Sequence, residues 1–251
     1  MAGHSKWANI RHKKARADAQ RGRIFTKLAK EIIVAAKQGG PDPDVNFKLR
    51  MAIQKARSQN MPADNIERAI RRATGEEADT NYEELVYEGY GPAGVAILLE
   101  ISTDNRNRTA AEIRHIFSRR GGSLGESGCV AWMFDQKGRI VVDLEKAGLD
   151  EDSLMLRAIE SGAEDMEVDD GVATILCSPS ELESVQNALS ADGVVVDSAE
   201  VVRIPKTTVE VDGDNAPKVL QLIEDLEDND DVSAVYANFE IADEVLEQLT
   251  S

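Results

Sequence analysis

The stretch GRIVVDL at residues 138–144 begins an alternation of apolar strands and amphipathic helices that decides the fold of the second half of the chain. From this point the spacing of apolar residues predicts a strand at 139–144, a helix at 152–161, strands at 166–168 and 172–177, a helix at 179–189 and a strand at 194–204. This βαββαβ order is typical of a ferredoxin-like domain. Residues 135–205 are therefore predicted to form one such domain.

The segments on either side of this domain repeat its elements. Strands at 85–88, 95–101 and 130–134, with a helix after Thr109, precede it, and a strand at 207–211, a helix at 216–226 and a strand at 232–239 follow it. The final unit has no partner within 135–205, so we expect it to pair with the earlier one. The sequence therefore predicts a second ferredoxin-like α/β domain, built from 79–134 plus 206–251, into which the first is inserted.

Within residues 1–78, the part that follows the first seventeen residues shows helical periodicity instead. Apolar residues recur at three- and four-residue spacing in three groups, namely Phe25, Leu28, Ile32 and Ala36, then Leu49, Ala52, Ile53 and Ala56, and finally Ile66, Ala69, Ile70 and Ala73. Asp42 and Pro43 are predicted to be the N-cap and first-turn proline of the second helix. The whole chain is thus predicted to be α+β, with an N-terminal three-helix bundle at 1–78 followed by the two ferredoxin-like α/β domains.

The distribution of charge separates the same segments. Residues 1–72 contain seventeen lysines and arginines against six aspartates and glutamates, a formal charge of +11 in a chain whose total is −17. The remaining residues hold twelve against forty, or −28. Such a division predicts a basic module that contacts phosphate, joined to an acidic body that does not.

The candidate nucleic-acid contacts are the cations of this module and a later loop rich in planar donors. Residues 1–17 lack apolar periodicity and are predicted to be an arm that becomes ordered on its partner. Trp7 in this arm either stacks on a base or packs on the helices behind it. The loop DNRNRT at 104–109 either contacts phosphates and base edges or caps the helix that follows. The candidates are Lys6, Trp7, Arg11, His12, Lys13, Lys14, Arg16, Arg23, Lys27, Lys30, Arg106 and Arg108.

Two short motifs resemble enzyme fingerprints but lack their context. GYGPAG at 89–94 is followed by a predicted strand, whereas a dinucleotide site needs a helix there. GGSLG at 121–125 follows a helix and precedes a strand, the reverse of the order around a hydrolase serine. We therefore expect a protein that is not an enzyme and has no cofactor or metal.

The remaining features predict an intracellular protein. Cys129 and Cys177 form no CxxC pair and are expected to be reduced, buried thiols. No apolar run is long enough to cross a membrane and no secretory signal is present, so a cytoplasmic location is predicted. The acidic run at 224–231 does not have EF-hand spacing. It is expected to be solvated surface, or alternatively a face that repels nucleic acid.

Several motifs closely resemble those of the YebC/PmpR family. They are MAGHSKWANIRHKK at 1–14, GRIFTK at 22–27, NMP at 60–62, YEGYGP at 87–92, DNRNRT at 104–109 and GCVAWMF at 128–134. The likeness spans nearly the whole chain and is weakest at 135–205. Because the chain begins at the first motif, it looks like the bacterial relatives of the mitochondrial translational activator of cytochrome oxidase subunit I.

The resemblance implies a three-domain cytoplasmic protein without catalytic residues, described in bacteria as a DNA-binding transcriptional regulator. It also implies an alternative, because other members act in translation, binding the ribosome at stalled proline-rich stretches. The sequence therefore predicts a nucleic-acid-binding regulator whose partner is DNA or ribosomal RNA. A protein-interaction scaffold is the remote alternative, because it would leave the +11 segment unexplained. The oligomeric state and the target sequence stay open.

Overall fold

The computed structural model describes residues 18–74, 82–242 and Val245, with side chains in the first range from Gly22 onward. The first range contains the helices α1 (Asp18–Gly39), α2 (Phe47–Ser58) and α3 (Ala63–Thr74). Next come β1 (Glu83–Tyr90), β2 (Ala96–Thr103), α4 (Arg106–Arg119) and β3 (Ser123–Leu124). They are followed by β4 (Phe134–Asp143), α5 (Leu144–Ala147), α6 (Glu151–Glu160), β5 (Asp165–Asp169), β6 (Val172–Cys177), α7 (Leu182–Ala191) and β7 (Ser198–Pro205). The last elements are β8 (Val209–Glu210), α8 (Ala216–Glu227), β9 (Val232–Ala237) and β10 (Phe239–Glu240).

These elements form two compact units. The described parts of 1–34, 72–134 and 205–251 make the first unit, and residues 35–71 with 135–204 make the second. The predicted α+β class, with three N-terminal helices followed by two sheet-containing regions, is confirmed. The predicted domain boundaries stay a prediction.

The second unit contains the sheet that the sequence pattern predicts. Its strand order is β5-β6-β4-β7, in which the first and third strands of the βαββαβ segment are central, as in a ferredoxin-like sheet. β4 and β6 pair antiparallel from Gly138 opposite Cys177 to Asp143 opposite Val172. The alternate residues Ile140, Val142, Ala173 and Ile175 are fully buried together with Leu154 of α6 and Leu189 of α7.

Helix α2 belongs to this second unit and packs against the same core through Phe47 and Met51. Its N-cap is Asn46, so the predicted cap at Asp42 and first-turn Pro43 were wrong. The buried Asn46 amide accepts from the Leu49 N–H at 3.0 Å and donates to the carbonyls of Ala35 and Gly40 at 2.9 and 2.8 Å. An Asn side chain suits this place because it caps α2 and also satisfies carbonyls at the end of α1.

The first unit contains a sheet of order β3-β1-β2-β9. The β1–β2 hairpin is central, and β9 pairs antiparallel with β2, as the sequence predicts for 95–101 and 232–239. The ferredoxin-like positions are occupied by β2, α4, β3, α8 and β9. The position of the third strand is taken by β1, which precedes β2 in the sequence. β8 does not enter this sheet, because Val209 and Glu210 pair in parallel with β10 instead.

A buried carboxylate explains why the strand predicted at 130–134 is absent. Glu88 of β1 is 4% exposed, and its oxygens accept from the backbone N–H groups of Gly128, Val130 and Ala131 at 2.6, 2.7 and 2.7 Å. These are N–H groups that a strand would give to its neighbour. The chain therefore turns through a short 3₁₀ helix, Ala131–Met133, and β4 begins only at Phe134.

We predict that Glu88→Gln destabilises the first unit by about 3 kcal/mol, because one amide oxygen cannot accept all three buried N–H groups. Unfolding in urea, followed by the fluorescence of Trp132 in a Trp7→Phe background, measures this change. Trp132 reports on the loop because its Nε1 donates to the carbonyl of Cys129 at 3.1 Å. The exposed Glu83 of the same strand supplies the control, and an equal loss for Glu83→Gln would contradict the prediction.

Candidate nucleic-acid interface

Seven of the twelve predicted contacts lie outside the described residues. They are the arm residues Lys6, Trp7, Arg11, His12, Lys13, Lys14 and Arg16. The other five, on α1 and at the start of α4, all belong to the first unit.

The predicted contacts on α1 meet the acidic segment, defined here as residues 224–231 at the end of α8 and before β9. Arg23 Nη1 lies 3.0 Å from a carboxylate oxygen of Asp228. Lys27 Nζ donates to the backbone carbonyl of Glu227. Lys30 Nζ lies 2.6 Å from Asp231 Oδ1 and donates to the carbonyl of Asp230 at 2.9 Å. Three of the cations predicted to contact phosphate therefore contact acceptors within the protein.

Asp231 is the centre of a buried network that includes the second predicted region. Its side chain is 5% exposed. Besides Lys30, its Oδ2 atom accepts from Thr109 Oγ1 at 2.6 Å, Arg108 Nη2 at 2.8 Å and Thr103 Oγ1 at 3.1 Å. The carboxylate thus joins α1, the end of β2 and the first turn of α4.

These contacts keep Asp231 ionised. Burial alone would raise the pKa of its carboxyl group, but hydrogen bonds from Lys30, Thr109 and Arg108 outweigh that effect and hold the pKa well below the usual range.

Asp225 is also partnered, and its carboxylate accepts from Arg119 and Arg120 at 2.6 Å each. The expectation that 224–231 is simply solvated surface was therefore wrong for Asp225 and Asp231.

The loop before α4 acts first as a helix cap. The Asn105 side chain accepts from the Arg108 N–H at 3.1 Å, which is a regular N-cap contact. The Arg108 guanidinium bridges Asp104 and Asp231, with 2.8 Å to each carboxylate. Arg106 differs, because its side chain is exposed at the start of the helix. Of the two arginines predicted here, Arg106 is the one that faces solvent without an acidic partner among the described residues.

A shallow surface depression lies over this part of the first unit. Its lining includes the cations Arg23, Lys30, Arg108 and Arg119, and the carboxylates Glu112, Asp225, Asp228, Asp230 and Asp231. Because the two signs are present in similar numbers, the depression offers no excess positive charge to a polyanion.

Sequence reasoning did not include the arginines of α2 and α3 among the predicted contacts. Arg50 of α2 pairs with Glu183, and Lys55 lies 3.7 Å from Glu200, so these two cations are held within the second unit. Four other arginines in these helices are exposed and have no carboxylate partner within the described part of the chain: Arg57, Arg68, Arg71 and Arg72. The exposure of Arg68, Arg71 and Arg72 follows from the helical pattern, since they lie opposite the buried apolar residues of α3. That these arginines have no carboxylate partner among the described residues could be seen only from the structure.

The two motifs that resemble enzyme fingerprints form a strand connection and part of a strand pair. The stretch at 89–94 connects β1 to β2, with a 3₁₀ turn at Pro92–Gly94, and no helix follows it. Ser123 lies in β3 and pairs with Tyr90 of β1. Burial raises the pKa of the Cys177 thiol to about 11, which makes it a poor nucleophile. Within the described ranges, no group of histidine, cysteine and carboxylate side chains is placed to hold a metal ion, and no helix has the length and hydropathy of a membrane span.

The Asp231 network predicts unequal costs for two cations of α1. Lys30→Met should lower the free energy of unfolding by about 3 kcal/mol, because it keeps the side-chain volume but removes a buried ammonium group from its carboxylate. Arg23→Ala should cost less than about 1 kcal/mol, because the Arg23–Asp228 pair is solvent-exposed. Denaturant titration of both variants measures the difference. Equal losses would mean that Lys30 is not held as described.

The lowered pKa of Asp231 predicts the sign of a pH effect. Its folded-state pKa lies below the unfolded value of about 3.9, so the stabilisation is complete above that pH and is lost as the pH falls towards the folded pKa. The stability difference between the unsubstituted protein and Asp231→Asn should therefore be constant from about pH 7 to pH 5 and should shrink below about pH 4. Thermal melts across this range test it, and a difference that grows in acid would contradict the assignment.

Comparison with known proteins gives matches along almost the whole chain. A family model described as the TACO1/YebC protein N-terminal domain matches residues 5–76, and one described as the TACO1/YebC second and third domain matches residues 82–239. A probable transcriptional regulatory protein of Natranaerobius thermophilus is 59% identical over 248 residues, covering 98% of this chain and 99% of its own. Another, of Moorella thermoacetica, is 57% identical and covers 99% of each chain.

A solved structure agrees with these matches. The crystal structure of a conserved hypothetical protein of Aquifex aeolicus aligns with a TM-score of 0.85 and 47% identity, over 92% of this chain and 95% of that chain. The resemblance inferred from the motifs at 1–14 and elsewhere is therefore confirmed, and the chain belongs to the TACO1/YebC family.

Proposed function

We propose that this protein is a non-enzymatic regulator of gene expression that acts in the cytoplasm by binding nucleic acid through its basic N-terminal part. The observation that carries the proposal is the segregation of charge, with +11 in residues 1–72 and −28 in the remainder. A surplus of lysine and arginine in one segment of an otherwise acidic protein provides the sequence-independent part of nucleic-acid affinity. The names of the relatives, which are probable transcriptional regulatory proteins, support a regulatory role.

We assign the main phosphate contacts to the arm, where Lys6, Arg11, Lys13, Lys14 and Arg16 are concentrated. Trp7 and His12 lie among these cations and would stack on bases or contact phosphates. Arg106 adds a contact from the first unit. Lys30 and Arg108 serve chiefly to hold Asp231, and Arg23 and Lys27 would have to exchange their acceptors in the acidic segment for phosphate.

Promoter DNA is the first candidate target, because the relatives are named for transcription. One observation favours RNA on the ribosome as the second candidate. α2 and α3 are joined by four residues, as in a helix-turn-helix, but the exposed Asp64 and Glu67 occupy the N-terminal turns of α3. A recognition helix presents that end to base edges. Two carboxylates there disfavour groove reading and suit a partner recognised by its backbone and shape.

The proposal predicts that charge reversal in the arm abolishes binding without loss of folding. Lys13→Glu with Lys14→Glu should remove detectable binding to both a DNA duplex and ribosomal RNA, while the melting temperature stays unchanged. The matched control, Arg114→Glu with Lys218→Glu, makes the same change in net charge at exposed sites of the acidic body. Unaltered affinity of the arm variant, or equal loss in the control, would count against the arm.

A cell experiment separates the two targets. The protein is recovered from lysates at low and high salt, and its fractionation with ribosomes or with chromosomal DNA is followed after treatment with RNase or DNase. Loss of the association with DNase alone would support transcriptional regulation, and loss with RNase alone would support translation. An association that resists both nucleases and high salt would instead indicate a protein-interaction scaffold.

A further inference from the structure

We propose that α3 carries a second phosphate-contact face, formed by Arg68 and Arg71 with Arg72 beside them, which binds the sugar-phosphate backbone independently of base sequence. The inference rests on the proposed function, since it names where on the described structure that function makes contact. It adds a contact surface to the arm and α1 residues predicted from the sequence.

The arginines of α3 differ from several cations of α1 and α2, which contact acidic residues. On α1, Arg23, Lys27 and Lys30 contact the acidic segment. On α2, Arg50 and Lys55 contact Glu183 and Glu200. On α3, Arg68, Arg71 and Arg72 have no acidic partner within the described ranges. Within the described part of the chain these three arginines have no acidic partner, which indicates charge kept for an external ligand.

Helix α3 separates its apolar residues from its arginines. Ile66, Ala69 and Ala73 are buried, and they define one narrow face of the helix. Arg68, Arg71 and Arg72 are exposed and are related by three- and four-residue spacing on the opposite side. Their guanidinium groups therefore share one surface of a single helix. Such a surface can contact several phosphates at once.

A short connection from α2 fixes the start of this helix. α2 ends at Ser58 and α3 begins at Ala63. Between them Asn60 has a φ of 58°, and the buried Met61 donates its N–H to the carbonyl of Ala56 at 2.9 Å. Pro62 then accepts from the Asn65 N–H at 2.9 Å at the start of α3. A connection this short and this well bonded holds the arginine face in a set orientation to α2.

The arginine side chains have the chemistry that a phosphate ligand requires. The guanidinium group is planar and donates two parallel hydrogen bonds to a phosphate, and it stays charged at all physiological pH values. Asp64 and Glu67 lie four residues before Arg68 and Arg71, a spacing that allows helical ion pairs. Neither pair is formed in the structure. Asp64 lies in the first turn, where a carboxylate suits the helix dipole, Arg68 lies at the middle of the helix, and Arg71 and Arg72 lie in its second half.

The experiment measures the salt dependence of binding. A fluorescent DNA duplex and a fluorescent RNA hairpin, both of mixed sequence, are titrated with the full chain between about 50 and 200 mM salt. Arg68→Ala with Arg71→Ala should weaken binding by about tenfold or more at low salt and should reduce the slope of log K against log salt by about 0.9 per lost contact on duplex DNA. The probe that shows the larger loss identifies the backbone that α3 prefers.

Three further variants make the outcome decisive. Arg68→Lys with Arg71→Lys keeps the charge and should retain most of the slope. Arg114→Ala with Lys218→Ala removes two exposed cations from the first unit and should leave the slope unchanged. If the alanine pair lowers the melting temperature, Arg68→Gln with Arg71→Gln keeps the side-chain stems and repeats the test.

The possible results separate the two proposals. A protein that binds both probes with a slope unaffected by the α3 variants overturns this inference but leaves the proposed function in place. A protein that binds neither probe at low salt overturns the proposed function, and this inference with it. A reduced slope in the alanine or glutamine pair, with the Arg114 and Lys218 control unchanged, establishes the α3 face.

Discussion

The buried carboxylate of Asp231 is the interaction on which the arrangement of the first unit depends. It receives hydrogen bonds from Lys30 on α1, from Thr103 at the end of β2, and from Arg108 and Thr109 at the start of α4. Its own N–H is held by the Asn229 side chain at 2.9 Å. Since a buried charge is tolerated only when it is paired and fully hydrogen-bonded, these segments must meet at this point. The acidic connection before β9 is thus a structural element.

This arrangement changes the meaning of the charge pattern. Counting residues places +11 in the first seventy-two, but the count does not tell how much of that charge is accessible to a ligand. Arg23, Lys27 and Lys30 contact the acidic segment, and Arg50 and Lys55 pair with carboxylates of the second unit. Among the described side chains of the first seventy-two residues, the arginines without an acidic partner are therefore Arg57 on α2 and Arg68, Arg71 and Arg72 on α3. A basic segment can serve folding with one set of cations and recognition with another.

Periodicity predicted the elements whose burial is one-sided. β6 was predicted at 172–177 and occupies those residues, and α6 and α8 begin and end within about one residue of prediction, because alternating or helical apolar spacing is a local property. The prediction of a strand at 130–134 was wrong because Glu88, which is 42 residues from Val130 and 43 from Ala131, accepts the N–H groups that would form it. The partners of Lys30 and Arg108 could not be predicted, since Asp231 lies about two hundred and one hundred and twenty residues from them in sequence.

The net charge of −17 does not prevent binding to a polyanion. At physiological ionic strength the field of an exposed charge is screened over a Debye length of about 8 Å. A phosphate in contact with a guanidinium group therefore responds mainly to its immediate neighbours, and the many carboxylates elsewhere act weakly on it. The carboxylates act more strongly when the polyanion approaches the acidic part of the protein, because a face rich in exposed carboxylates repels the sugar-phosphate backbone at close range. In the binding proposed above, the acidic body would set the orientation of the polyanion, and the arginines of α3 and the arm would supply the affinity.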